Sequence, residues 1–145
     1  MPSIESIEDK DYEVLADFRY QIRRFLHFSE KAAHTAGLEP QQHQLLLAVR
    51  GATASGEEPS IRILAERLQI QHHSAGELVD RLEERGMVAR SRSRNDRRQV
   101  LVQLTERGQA ELEKLSLCHL AELRNNAPAL VEALQTLIGR VNAGD

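Results

Sequence analysis

Apolar positions recur at helical spacing through most of this chain. Val14 or Leu15, Phe18, Ile22, Phe25, Leu26 and Ser29 define one long helix over residues 11–36. Gly37 stops it, and Pro40 suits the first turn of a second helix at about 40–53. Leu45, Leu46, Leu47 and Val49 make that helix apolar around much of its circumference, so it is expected at the centre of a core. Gly51 to Pro59 reads as a loop by composition. Ile61, Leu64, Ala65 and Leu68 then place a helix over 61–68, and Ala75, Leu78, Val79 and Leu82 a second over 72–85. The turn between them is Gln69-Ile70-Gln71, with Ile70 as an apolar plug, and Gly86 caps the second helix. Met87–Arg90 and Gln99–Leu104 are short strand candidates joined by a hairpin loop from Ser91 to Arg98. Thr105 is a good N-cap for a helix to about Asn125. A last helix is expected from Pro128, with Leu130, Leu134, Leu137, Ile138 and Val141 as its stripe.

This order predicts a mainly α fold: a winged helix-turn-helix flanked by long N- and C-terminal helices. The winged-helix core spans 40–104, and residues 1–36 and 106–145 form the flanking helices of one 145-residue domain. The flanking helices carry more apolar surface than a small monomer needs, which points to dimerisation.

Composition narrows the chemistry. Aromatic residues make up only 3% and tryptophan is absent, so the core is aliphatic. No apolar run approaches the roughly 20 residues that span a bilayer. The acidic, polar start argues against a secretory signal or transit peptide. The single cysteine, Cys118, precludes an intrachain disulfide and fits a reducing cytoplasm. It is expected as a buried structural thiol on an apolar face.

Net charge is −3, yet Arg85, Arg90, Arg92, Arg94, Arg97 and Arg98 cluster against the lone acid Asp96 between positions 85 and 98. A basic hairpin beside a helix-turn-helix supplies phosphate contacts where they are aimed. The second helix of the pair turns Gln71, His72, His73, Ser74, Glu77 and Arg81 toward a prospective DNA groove. Gln and Ser can bond base edges or phosphates, and Glu77 opposes phosphate unless it accepts from a cytosine amino group. Arg92 and Arg94 are candidate phosphate contacts. The six histidines lack the spacing of a structural zinc site, and no metal or other cofactor is expected. No GxSxG, Walker-type glycine loop or HExxH is present, so the chain does not read as an enzyme.

The stretch from Leu64 to Gly108 resembles the MarR (multiple antibiotic resistance regulator) family. The resemblance rests on Leu64-Ala65-Glu66, the run Leu78 to Glu84, Asp96-Arg97-Arg98 and Leu104 to Gly108, in the family's order and spacing. It implies a homodimeric transcriptional regulator, usually a repressor, on a pseudo-palindromic double-stranded DNA operator. It also implies regulation by small aromatic or phenolic ligands or by thiol oxidation. It assigns minor-groove entry to Arg97, with Asp96 and Arg98 bracing the hairpin. A ligand pocket would fall between dimer helices and DNA head, where Arg19, Arg23 and His27 of the first helix and His43 of the second are candidates. The competing class is a winged-helix module that binds protein instead of DNA. An arginine-rich hairpin separates the two, because a protein-docking wing has no need of it.

Overall fold

The computed structural model describes residues 6–143; residues 1–5 and 144–145 of the expected terminal segments lie outside it. Seven elements follow in order: α1 (Asp9–Thr35), α2 (Pro40–Ala54), α3 (Ile61–Leu68), α4 (His72–Glu84), β1 (Val88–Arg92), β2 (Val100–Leu104) and α5 (Glu106–Ala143). The described residues divide into two compact units. One is Ala32–Ser116; the other draws on residues 6–31 and 117–143.

The first unit is a winged helix with an aliphatic core. Leu38, Leu45, Leu46, Val49, Leu64, Val79, Leu82, Met87 and Val102 are all essentially inaccessible to solvent. β1 and β2 pair antiparallel, with Val88 opposite Leu104 and Arg92 opposite Val100. A bridge from Ser60 to Leu101 and a bond from the Val102 N–H to the Pro59 carbonyl (2.9 Å) stitch the hairpin to the α2–α3 loop.

The helix ends follow local chemistry. Gly37 takes φ +78° at the end of α1, and the Leu38 N–H reaches back to the Ala33 carbonyl at 2.9 Å. This six-to-one bond closes a Schellman cap, which a glycine in the left-handed region accommodates. Pro40 opens α2, and the Gln42 side chain accepts from the Glu39 N–H at 3.0 Å. Thr105 Oγ1 accepts from the Gly108 N–H at 3.1 Å at the start of α5.

In the second unit, Arg140 Nη2 donates to Asp11 Oδ2 at 3.0 Å, fastening the C-terminal part of α5 to the start of α1. His119 bonds Ser29 Oγ through Nε2 at 2.8 Å and meets the rings of Phe25 and Phe28 edge-on at 6.0 and 5.4 Å. Among the described residues, every exposed large hydrophobic except Leu47 belongs to this unit, with Leu117 and Leu120 the most open.

Three expectations are corrected. Gly51 to Ala54 are helical, not loop: α2 runs on to a C-cap at Ser55, and the positive φ falls at Gly56. α5 is one continuous helix with Pro128 inside it, where a break was expected. Proline removes one backbone donor, but its neighbours Ala127, Ala129 and Leu130 remain partly buried, and burial on both sides carries the helix through. Cys118 is exposed, because His119, four residues after the buried Leu115, occupies the inward position instead.

Candidate nucleic-acid interface

Two capped turns set α4. Ser60 caps α3, its Oγ accepting from the Ile63 N–H at 3.2 Å. α3 ends at Gln69 in the left-handed region (φ 56°), with the Ile70 N–H returning to the Ala65 carbonyl at 3.0 Å. That tight reversal aims α4. Ala75, Leu78, Val79 and Leu82 bury one face of it, as their spacing dictates.

The opposite face is open. Gln71, His72, His73, Glu77 and Arg81 are exposed, and Ser74 is half-buried. Gln71 is the N-cap, but its side chain makes no capping bond, so the first-turn N–H groups of α4 have no side-chain cap.

The hairpin loop, Ser93 to Gln99, is held from within and from below. The Gln99 N–H bonds the Asp96 carbonyl at 2.9 Å, which makes Arg97 and Arg98 the two corner residues of a β-turn. Asp96 Oδ1 accepts from the Arg98 backbone at 3.1 Å and from Arg98 Nε at 3.2 Å. The Arg92 guanidinium donates to the Arg97 carbonyl at 2.9 Å. Ser93 is buried; its Oγ accepts from the Asn95 and Asp96 N–H groups and donates to the Glu58 carboxylate at 3.0 Å. Asn95 Nδ2 also donates to Glu58, at 3.2 Å. The guanidinium groups of Arg94 and Arg97 are exposed and unpaired among the described residues.

The strand bounds differ from expectation: the first strand starts one residue later and runs two residues further, and Gln99 belongs to the loop and not to the second strand. Ser91 and Arg92 belong to β1, not to the loop, because Arg92 still pairs with Val100. The arginine cluster also divides. Arg85 donates to Gln42 Oε1 at 3.2 Å. Arg90 donates to Asp80 at 2.5 Å, to Glu83 at 3.0 Å and to the Gly76 carbonyl at 3.2 Å. Partial burial works against its charge, but the bonds and charges of Asp80 and Glu83 outweigh that and hold its pKa above the ordinary arginine value.

A groove of about 250 Å³ joins the start of α3, the start of α4 and the base of the hairpin. Its walls are Ser60, Ile61, Arg62, His72, Arg98, Gln99 and Val100. Sequence reasoning missed two residues here. Arg62 could have been found as an exposed cation on the first turn of α3. Glu58 had no local signal, since its hairpin partners lie 35 and 37 residues away. Of the residues expected at a ligand pocket, Arg19, Arg23 and His27 are exposed on α1, whereas His43 is buried in α2. Among the described residues, no three His, Cys, Asp or Glu side chains stand together to hold a metal ion, and no helix is long and apolar enough to cross a membrane.

The comparisons agree with this architecture. Residues 36–99 match the model of the MarR family. AbsC, a MarR family transcriptional regulator from Streptomyces coelicolor, superposes with a TM-score of 0.72 at 19% identity, covering 97% of this chain and 99% of that one. A mutant of MarR from E. coli, solved in complex with operator DNA, gives a TM-score of 0.66 at 21% identity over 94% and 99% of the two chains. YusO from Bacillus subtilis gives 0.62 at 18% identity over 96% of each. No curated protein matches the chain. The fold is that of the MarR family transcriptional regulators.

Proposed function

We propose that this chain, whose residues 36–99 match the model of the MarR family, regulates transcription by binding duplex DNA. α4 enters the major groove with Gln71, His72, His73, Ser74, Glu77 and Arg81. The hairpin lies along the flanking backbone, where Arg92 and Arg94 meet phosphates and Arg97 reaches the minor groove. Asp96 and Arg98 hold the turn that presents Arg97.

The observation that carries this reading is the pair Arg94 and Arg97. Their side chains stand free on a loop that Glu58 and Ser93 pin from beneath. An immobilised loop bearing unpaired cations suits a polyanion. The operator-bound relative shares the fold, which supports duplex DNA as this chain's partner.

The exposed apolar side chains of the terminal helices, Leu120, Val131, Leu134 and Ile138 among them, support a homodimer built on that surface. A two-fold dimer reads an inverted repeat, so the operator is pseudo-palindromic. The family resemblance favours repression, relieved by a small aromatic or phenolic ligand.

A salt titration on random-sequence duplex tests the central claim. Log affinity should fall linearly with log salt, by about 0.9 for each phosphate contact. Absence of binding at low salt would favour the protein-docking alternative.

A further inference from the structure

Beyond Glu77, which is a candidate base contact, helix α4 carries acid where a DNA reader gains nothing from it. Glu77, Asp80, Glu83 and Glu84 all lie on this 13-residue helix. Successive residues of a helix turn by about 100°, so Asp80 lies on the same outward stripe as His73 and Glu77, with Glu83 at its β1 edge. The DNA backbone carries one negative charge per about 1.7 Å of axis, and bare carboxylates on this stripe oppose its approach.

Arg90 answers two of the four. It stands on β1, opposite Val102, and its single guanidinium spans Gly76, Asp80 and Glu83, one side of α4 over two turns. Its side chain is only 29% exposed, whereas Asp80 and Glu83 are 59% and 43% exposed. The carboxylates therefore lie on the surface, and the cation that offsets them is tucked beneath.

We propose that Arg90 is a positioning residue for DNA binding that touches no DNA itself: its single charge offsets part of the negative charge of Asp80 and Glu83, so that the open face of α4 can approach phosphate. This rests on the DNA-binding reading above. The arginine cluster accordingly has two jobs. Arg94 and Arg97 offer charge outward, and Arg90 offsets charge within.

The test uses random-sequence duplex and fluorescence anisotropy, at low and high salt, with melting curves run in parallel. Arg90→Met keeps the aliphatic stem and removes the charge. It should weaken binding about tenfold at low salt, and the deficit should shrink as salt screens the two carboxylates. Adding Asp80→Asn and Glu83→Gln to Arg90→Met should return affinity to within about twofold of wild type, which a purely structural clamp would not do. With Arg90 kept, the Asp80→Asn/Glu83→Gln pair should bind at least as tightly as wild type, and this holds whether or not Arg90→Met folds. Unchanged affinity in Arg90→Met, failure of the triple variant to recover, or weaker binding by the double variant would each overturn the proposal. A wild type that binds no duplex at low salt would instead overturn the DNA-binding reading, and this inference with it.

Discussion

Gly108 lies directly against the backbone of Met87: a Cβ placed on Gly108 would sit 2.0 Å from the Met87 carbonyl oxygen. That same oxygen accepts from the Thr105 N–H at 3.0 Å. The first turn of α5 is thus seated on the residue that leads into β1, with no room for a side chain between them.

Gly108→Ala should therefore destabilise. In an open helix the change would gain about 1 kcal/mol, but here backbone must move, and overpacking of this kind costs about 1–3 kcal/mol. Gly51 gives the contrast, since it is also helical but has open space around its Cα. Gly51→Ala should raise stability by about 0.5–1 kcal/mol. Melting curves of the two variants should shift in opposite directions.

Asp11 gives the stability a pH dependence. The hydrogen bond from Arg140 first, then the bond from the Glu8 N–H, holds its pKa below the ordinary value of 3.8 against the opposing effect of burial. A depressed carboxylate pKa means that the unfolded chain takes up the proton first. The contribution is complete above the unfolded value and is lost as pH falls through the folded one. Asp11→Asn should melt lower than wild type near neutral pH, and the gap should close in acid.

Arg97→Ala should weaken duplex binding by about tenfold or more, in keeping with roughly 1–3 kcal/mol for a groove contact. Its melting temperature should stay at the wild-type value, because the side chain supports no core. Arg98→Ala should also melt close to wild type: its side chain is 92% exposed, and such ion pairs contribute about 0–1 kcal/mol. A gel-shift series with parallel melts separates the two arginines. Equal affinities for Arg97→Ala and wild type would count against the minor-groove role.

Glu58→Ala should loosen the hairpin from a distance. It leaves the buried Ser93 hydroxyl without its acceptor, at a cost of about 1–3 kcal/mol. Glu58→Gln keeps an acceptor and should behave nearly as wild type. Reduced duplex affinity in the alanine variant alone would identify Glu58 as the support that holds Arg94 and Arg97 in place.

Leu134→Asp should yield a folded monomer. Leu134 is 39% exposed in the single chain, so the charge remains solvated unless a second copy covers it. Sedimentation of wild type and variant at equal concentration reads the result; identical dimers would place the interface elsewhere.

Much of this was legible in the sequence because it is local. Helix α3 follows from Ile61, Leu64 and Ala65, and the turns at Gly37 and Gly86 follow from a residue type that tolerates positive φ. What escaped was non-local or decided by competition. Glu58 and Ser93 meet across 35 positions, which no window reveals. Arg85 and Arg90 looked like partners for phosphate until the fold supplied Gln42, Asp80 and Glu83. Gly51 and Pro128 were read as breakers from intrinsic propensity, but flanking burial carried the helices through. Cys118 was read as buried because apolar residues surround it in the chain, yet the inward position belongs to His119.

That exposed sulfur also gives the chain a ready spectroscopic handle. With one cysteine in 145 residues and that one open to solvent, a maleimide fluorophore or nitroxide attaches at a single known point on α5. Every label-to-label distance recorded from such a sample arises between chains, never within one. The native protein can thus report whether it self-associates, alone or with duplex DNA present, without a single engineered residue.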